Sequence, residues 1–141
     1  MWRVISTCGY SGYLPKAPGT YASILACVLL YFLPLLGHIV PILIITVAGI
    51  VAVEKIRGNE KDPGYVVIDE FVGMLITMVG HSPGVWSLSK GFILFRAFDI
   101  LKPYPVRRLE RLPGAFGIIA DDVAAAIFAN IALLIWERLS G

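Results

Sequence analysis

The sequence predicts an all-α protein embedded in a membrane, a bundle of about five helices with some short or partly re-entrant. Three observations carry this. Hydrophobic residues make up 57% of the 141 and charged residues only 16%, with a mean hydropathy of +0.79. A soluble domain this small could not hide so much apolar surface. Long apolar runs recur between Gly- and Pro-rich turns, and they exceed the length of strands despite β-branched patches such as Val66–Ile68.

In chain order, residues 1–19 read as a loop or short surface segment, because Gly9, Gly12 and Pro15 interrupt it before any signal-peptide core forms. Thr20 is placed to cap a helix that starts at Tyr21 and runs to Leu36. Gly37 and His38 turn the chain, and Pro41 stands near the start of a second helix that reaches Val53 and extends towards Arg57. A polar loop, Gly58–Gly64, precedes a third run from Tyr65 to Gly80. A fourth spans Val85–Leu101 and is stopped by Pro103 and Pro105. A basic segment from Lys102 to Pro113 leads to the last run, Ala115–Trp136. Most runs lie near the ~17-residue lower limit for crossing a hydrocarbon core of ~30 Å. The length predicts a single domain over residues 1–141.

The net charge of +2 carries no nucleic-acid footprint. Cys8 and Cys27 form neither a disulfide framework nor a metal motif. The positions of the charges say more. With the N-terminus inside and five crossings, the inner loops hold Arg3 and Lys16, then Arg57 and Lys61, then Lys102, Arg107, Arg108 and Arg111. The outer side holds Lys90 and Arg138. That bias follows the positive-inside rule.

The same threading puts five carboxylates in one inner layer: Asp69 and Glu70 at the start of the third helix, Asp99 at the end of the fourth, Asp121 and Asp122 at the start of the fifth. Ionisable groups in apolar segments are costly and mark function. Singly, an Asp near a helix start reads as a cap or dipole partner, and Arg96 with Asp99 as a one-turn ion pair. Together the carboxylates exceed the nearby Arg96 and Lys102, and the excess calls for a cation. Oxygen-only donors point to Mg²⁺, Mn²⁺ or Ca²⁺ rather than zinc, and Mg²⁺, which keeps waters and partners phosphates, suits the site best. Neighbouring helical residues diverge by about 100°, so one of Asp69 and Glu70 is expected to ligate while the other orients or serves a second ion, and likewise for Asp121 and Asp122. Arg96 is placed to hold a phosphate bidentately. Lys102 and Lys16 add charge at the mouth, and the helix start at Gly19 and Thr20 offers backbone N–H groups to an anion. Gly73, one turn along, permits close helix approach. Two classes fit: an enzyme of lipid phosphates, or a small ion transporter with an acidic intramembrane site. The chain is short for a pore and shows no internal repeat, which favours the enzyme.

Four segments together resemble the phosphatidylglycerophosphatase A family: Gly12–Thr20 (GYLPKAPGT), Asp62–Met74 with DEFVGM, Phe95–Pro105 (FRAFDILKPYP), and Gly117–Asp122 with its paired aspartates. They stand in the family's order. The resemblance implies Mg²⁺-dependent hydrolysis of phosphatidylglycerophosphate to phosphatidylglycerol in phospholipid biosynthesis, by a multi-pass inner-membrane protein with its chemistry on the cytoplasmic side. It implies Asp69, Glu70, Asp99, Asp121 and Asp122 as the metal and catalytic carboxylates. The chain departs from the pattern at Tyr13 and Lys16, where small or apolar residues are expected. Asp69 or Asp122 is the candidate proton acceptor for an attacking water. An aspartyl-phosphate is the rival route, though no DxDxT or Cys-x5-Arg signature is present.

Overall fold

A computed structural model of the chain describes residues 1–60, 63–109 and 111–140. Lys61, counted above as an inner-loop cation, and Asp62, which opens the second motif, lie outside the described residues. The described residues form seven α-helices and no strand: α1 (Trp2–Ser6), α2 (Pro18–Phe32), α3 (Ile39–Ile56), α4 (Ile68–Thr77), α5 (Val85–Leu101), α6 (Val106–Leu109) and α7 (Gly114–Ser140). The five expected helices are α2, α3, α4, α5 and α7. The short α1 falls within the stretch expected as a loop or short surface segment, and α6 within the basic segment 102–113.

Pro18 opens α2 at its first turn, where a missing N–H costs nothing. Thr20 therefore lies inside the helix rather than capping it, and its N–H bonds to the Ala17 carbonyl at 3.1 Å. The fourth helix has the expected limits, ending at Lys102 in a left-handed conformation. The third run yields only ten helical residues. Its start is held in a non-helical conformation, because the Val67 N–H donates to the Ser6 carbonyl at 2.9 Å. Its far end is held by α7: Asn130 Nδ2 donates to the carbonyls of Thr77 and Val79, each at 2.8 Å. An amide NH₂ has two donors, so this pair uses both. Asn130→Ala is expected to lower stability by about 2 kcal/mol, the cost of orphaning two part-buried carbonyls. Asn130→Asp should cost more, since its oxygens would face those carbonyls. Thermal unfolding in detergent measures both, and equal, small losses would refute the capping role.

α4 is the centre of the bundle. All of its residues except Glu70 and Ile76 are buried, as befits a helix enclosed on every side. It packs along α7 and against α2, α3 and α5. At ~1.5 Å per residue α4 is about 15 Å long, too short to cross a bilayer core alone. α3 and α7 are long and apolar enough to do so. The outside is apolar too: Ile39, Val40, Leu43, Ile44 and Val47 on α3 are all more than half exposed. Such a face is what lipid, not water, accommodates.

The starts of α2, α4 and α7 and the ends of α3 and α5 gather at one end of the bundle. Glu54, near the end of α3, pairs with Arg57 at 2.7 Å and accepts the Ala115 N–H at 3.1 Å, capping the start of α7. At the opposite end Glu137 bonds His81 at 2.7 Å and Ser87 at 2.5 Å, placing both His81 and the start of α5 far from the acidic layer. The N-terminal segment packs beside α4: a Cβ on Gly12 would stand 1.8 Å from the Tyr65 carbonyl oxygen, and Tyr13 stacks on Tyr65 with centroids 5.6 Å apart. Tyr13 is thus a packing residue that the first motif uses to grip the second.

Candidate active site

Asp69 and Glu70 sit in the first turn of α4, and Asp122 sits in the third turn of α7 beside them. Each offers one carboxylate oxygen to a group in which all lie within 4.8 Å of one another. Asp69 and Asp122 are only 8% and 2% exposed. Glu70 Oε2 and Asp122 Oδ2 are buried with no hydrogen-bond partner. Buried carboxylate oxygens without donors are expensive, and like charges this close repel unless a cation stands between them. The donor set is oxygen alone. On these grounds the group could hold a metal ion of the hard, oxygen-seeking kind.

The geometry corrects one expectation. Asp69 and Glu70 both reach the group despite adjoining positions, because the longer glutamate swings back over the helix start against Gly19. A Cβ on Gly19 would lie 2.5 Å from Glu70 Oε1. Gly19 therefore leaves room for a carboxylate, and the anion-binding role expected of its N–H group meets a negative neighbour. For the second acidic pair the expected divergence holds. Asp122 faces the group. Asp121 turns to Lys102, whose Nζ donates to Oδ2 at 2.7 Å, while Oδ1 accepts the Asp122 N–H at 3.0 Å. Both oxygens of Asp121 are thus engaged outside the three-carboxylate group.

Asp99 flanks the site from the last turn of α5. Its Oδ2 accepts Arg96 Nη1 at 2.6 Å. So of the five carboxylates, three converge and two are each paired with a cation at the rim. Lys16 lies exposed in the loop before α2, with φ of 73°. At Gly73 α4, α5 and α7 meet closely: a Cβ there would stand 2.4 Å from the Phe95 ring and 3.4 Å from the Asp122 carbonyl. Cys8 packs beneath the site with its Sγ 3.8 Å from the Val67 carbonyl. Burial, with the charge of Glu70 adding to it, pushes its thiol up to about 12, so it is no thiolate nucleophile at neutral pH. The roles of Gly12 and Asn130 are not legible in the sequence. A glycine in a Gly-rich stretch and a lone Asn in an apolar helix give no signal until their partners are known.

Buried carboxylates facing a guanidinium and an ammonium group, set at one end of an apolar helical bundle, define a class: helical enzymes of phosphate esters in or at a membrane. The phosphatidylglycerophosphatase A family model matches residues 4–137. The chain belongs to this family, and it is a phosphoric monoester hydrolase. A Haemophilus influenzae phosphatidylglycerophosphatase A is 40% identical over 131 residues, covering 86% of this chain and 79% of its own. The Escherichia coli phosphatidylglycerophosphatase A is 30% identical over 135 residues, covering 91% and 78%. A Bacteroides thetaiotaomicron protein, provisionally named a phosphatidylinositol-3-phosphatase, is 36% identical over 143 residues, covering 93% and 90%. No solved structure matches the chain.

Proposed function

We propose that this single-domain protein, spanning residues 1–141, removes the terminal phosphate of phosphatidylglycerophosphate to give phosphatidylglycerol, with Mg²⁺ held by Asp69, Glu70 and Asp122. The observation that carries the reading is the convergence of these three carboxylates, those of Asp69 and Asp122 buried, within 4.8 Å in a chain of this family. The protein would sit as a multi-pass protein in the inner membrane, serving phospholipid biosynthesis, with the acidic end at the cytoplasmic face. The cations Arg57, Lys102, Arg107, Arg108 and Arg111 cluster towards that end, which supports this orientation.

A bound Mg²⁺ supplies charge to polarise the phosphoryl oxygens and to acidify a water. The chain does the rest. Arg96, oriented by Asp99, offers its guanidinium to the phosphoryl oxygens as the ester bond loosens. Lys102 fixes Asp121, and through it the turn of α7 that aims Asp122. Water attacks phosphorus and Asp69 accepts its proton; as the bond to the glycerol oxygen breaks, that proton passes to the departing oxygen. The apolar walls of α4 and α7 keep other water away from the reacting phosphate.

Purified protein in detergent is expected to release phosphate from phosphatidylglycerophosphate with Mg²⁺ and to lose about 10²-fold or more of that rate on chelation. Release that ignores chelation removes the metal from the reading. Ion flux in liposomes without lipid turnover would favour the transporter. The Bacteroides relative motivates a third arm with phosphatidylinositol 3-phosphate: faster turnover of that lipid overturns the substrate and leaves the acidic site in place. Trapping a phosphoenzyme would replace direct attack by the aspartyl-phosphate route.

A further inference from the structure

Outside the three-carboxylate group, the end of α5, the turn after it and α6 enclose a second recess of about 480 Å³. Lys102, Tyr104, Arg107, Arg108 and Arg111 line it, and no acidic side chain does so among the described residues. Arg108 is posed by Tyr104, donating to its hydroxyl at 2.8 Å with the guanidinium 5.6 Å from the ring centre. Arg107 and Arg111 are exposed at the rim. The recess is not isolated from the acidic site. Its wall residue Lys102 touches Asp121 at 2.7 Å, and Asp121 adjoins Asp122. Four cations in a concave wall form an anion site, and arginine forks match the oxygens of a phosphate.

A lipid substrate of the proposed kind carries two phosphates: a monoester that is cut and a diester that joins the headgroup to the diacylglycerol. Building on the proposed function, we infer that this basic recess binds the uncut phosphodiester, setting the monoester against Asp69, Glu70 and Asp122. The recess then selects lipids that bear both groups over phosphatidic acid, whose monoester sits directly on diacylglycerol. It also explains why a run of arginines follows Lys102 at the mouth of the site, where a generic basic loop would need no concavity.

The test compares the wild type with Arg107→Gln/Arg111→Gln, two exposed positions whose exchange spares the core. The ratio of kcat/KM for phosphatidylglycerophosphate to that for phosphatidic acid is expected to fall roughly tenfold or more, mainly through KM, since charged hydrogen bonds to one group are lost. An unchanged ratio overturns the inference, whether both lipids are unaffected or both weaken equally, the latter meaning recruitment to an anionic surface only. A second measurement does not depend on turnover. Phosphatidylglycerol, which keeps the diester and lacks the monoester, should bind wild-type protein in uncharged micelles more tightly than diacylglycerol, and the double variant should lose that preference. If wild type cleaves neither lipid yet shows this preference, the proposed function fails and the recess stands. If it cleaves both lipids and shows no such preference, the recess fails and the function stands.

Discussion

Asp122→Asn is expected to lower Mg²⁺-dependent phosphate release by about 10³-fold or more while leaving the chain folded and, without metal, more stable than the wild type. The two effects have one cause. Asp122 Oδ2 is buried with no hydrogen-bond partner and belongs to a group of three carboxylates within 4.8 Å. In the absence of a cation, that arrangement sets negative charge against negative charge in a dry layer. An amide removes one charge and offers N–H donors to Glu70. The relief is expected to raise the metal-free melting temperature by about 3 °C or more, the shift that ~1 kcal/mol produces at this chain length. The same substitution deletes a charged ligand, so the stabilisation that Mg²⁺ confers on the wild type should vanish. Asp121→Asn provides a contrast of opposite sign. Asp121 already has Lys102 at 2.7 Å, and its exchange strips an ammonium group of its partner, so the metal-free protein should weaken. Unfolding scans with and without Mg²⁺, beside phosphate release, read all of these. If Asp122→Asn kept activity, or melted lower without metal, the acidic group would be a structural network rather than a cation site. This is a trade between stability and function, of the kind expected where a fold holds groups together for chemistry.

The layering of the site was legible because charge inside apolar runs is conspicuous. Once Asp69, Asp99 and Asp122 are threaded through alternating helices, their depth follows from helix rise alone, and the structure gathers the same helix ends at one side. The end of α5 was equally legible, since Lys102-Pro-Tyr-Pro cannot continue a helix. Side-chain direction was less so. The 100° step between neighbours separates Asp121 from Asp122 as expected, but glutamate's extra methylene lets Glu70 rejoin Asp69, and that freedom depends on Gly19 in another helix. The shortness of α4 was hidden for a similar reason. Its apolar run continues on both sides, and only contacts distant in sequence, Ser6 with Val67 and Asn130 with Thr77 and Val79, decide where the helix stops. Composition foretold an apolar exterior. It could not foretell that the central helix would be enclosed by the others and have no exterior of its own. In the sequence the basic segment after Lys102 shows only as charge at the inner side. That it folds into a recess instead of trailing as a loop required α6 and the Tyr104–Arg108 contact.

Gly73→Ala is expected to cut activity by about 10²-fold and to lower stability by about 2 kcal/mol, and Phe95→Leu is expected to restore much of both when combined with it. A Cβ at this position would stand 2.4 and 2.5 Å from two ring carbons of Phe95, and 3.4 Å from the Asp122 carbonyl. Phe95 is fully buried, so its ring has no open side to turn into. The new methyl must push α4 away from α5 and α7. Asp69 and Glu70 lie one turn before Gly73 on α4, and Asp122 lies on α7, so the displacement opens the gap that the three carboxylates must share. A misplacement of ~1 Å suffices for a 10²-fold loss when reacting groups must be held in register. Phe95→Leu alone leaves a cavity and costs stability by the usual large-to-small penalty. In the double variant the alanine methyl enters part of that space, so the two costs should fall well short of their sum. A double-mutant cycle on melting temperature and on kcat/KM measures the coupling. Strict additivity would mean that the methyl and the ring do not compete for the same volume, and that close approach of α4 to α5 is not what brings the carboxylates together.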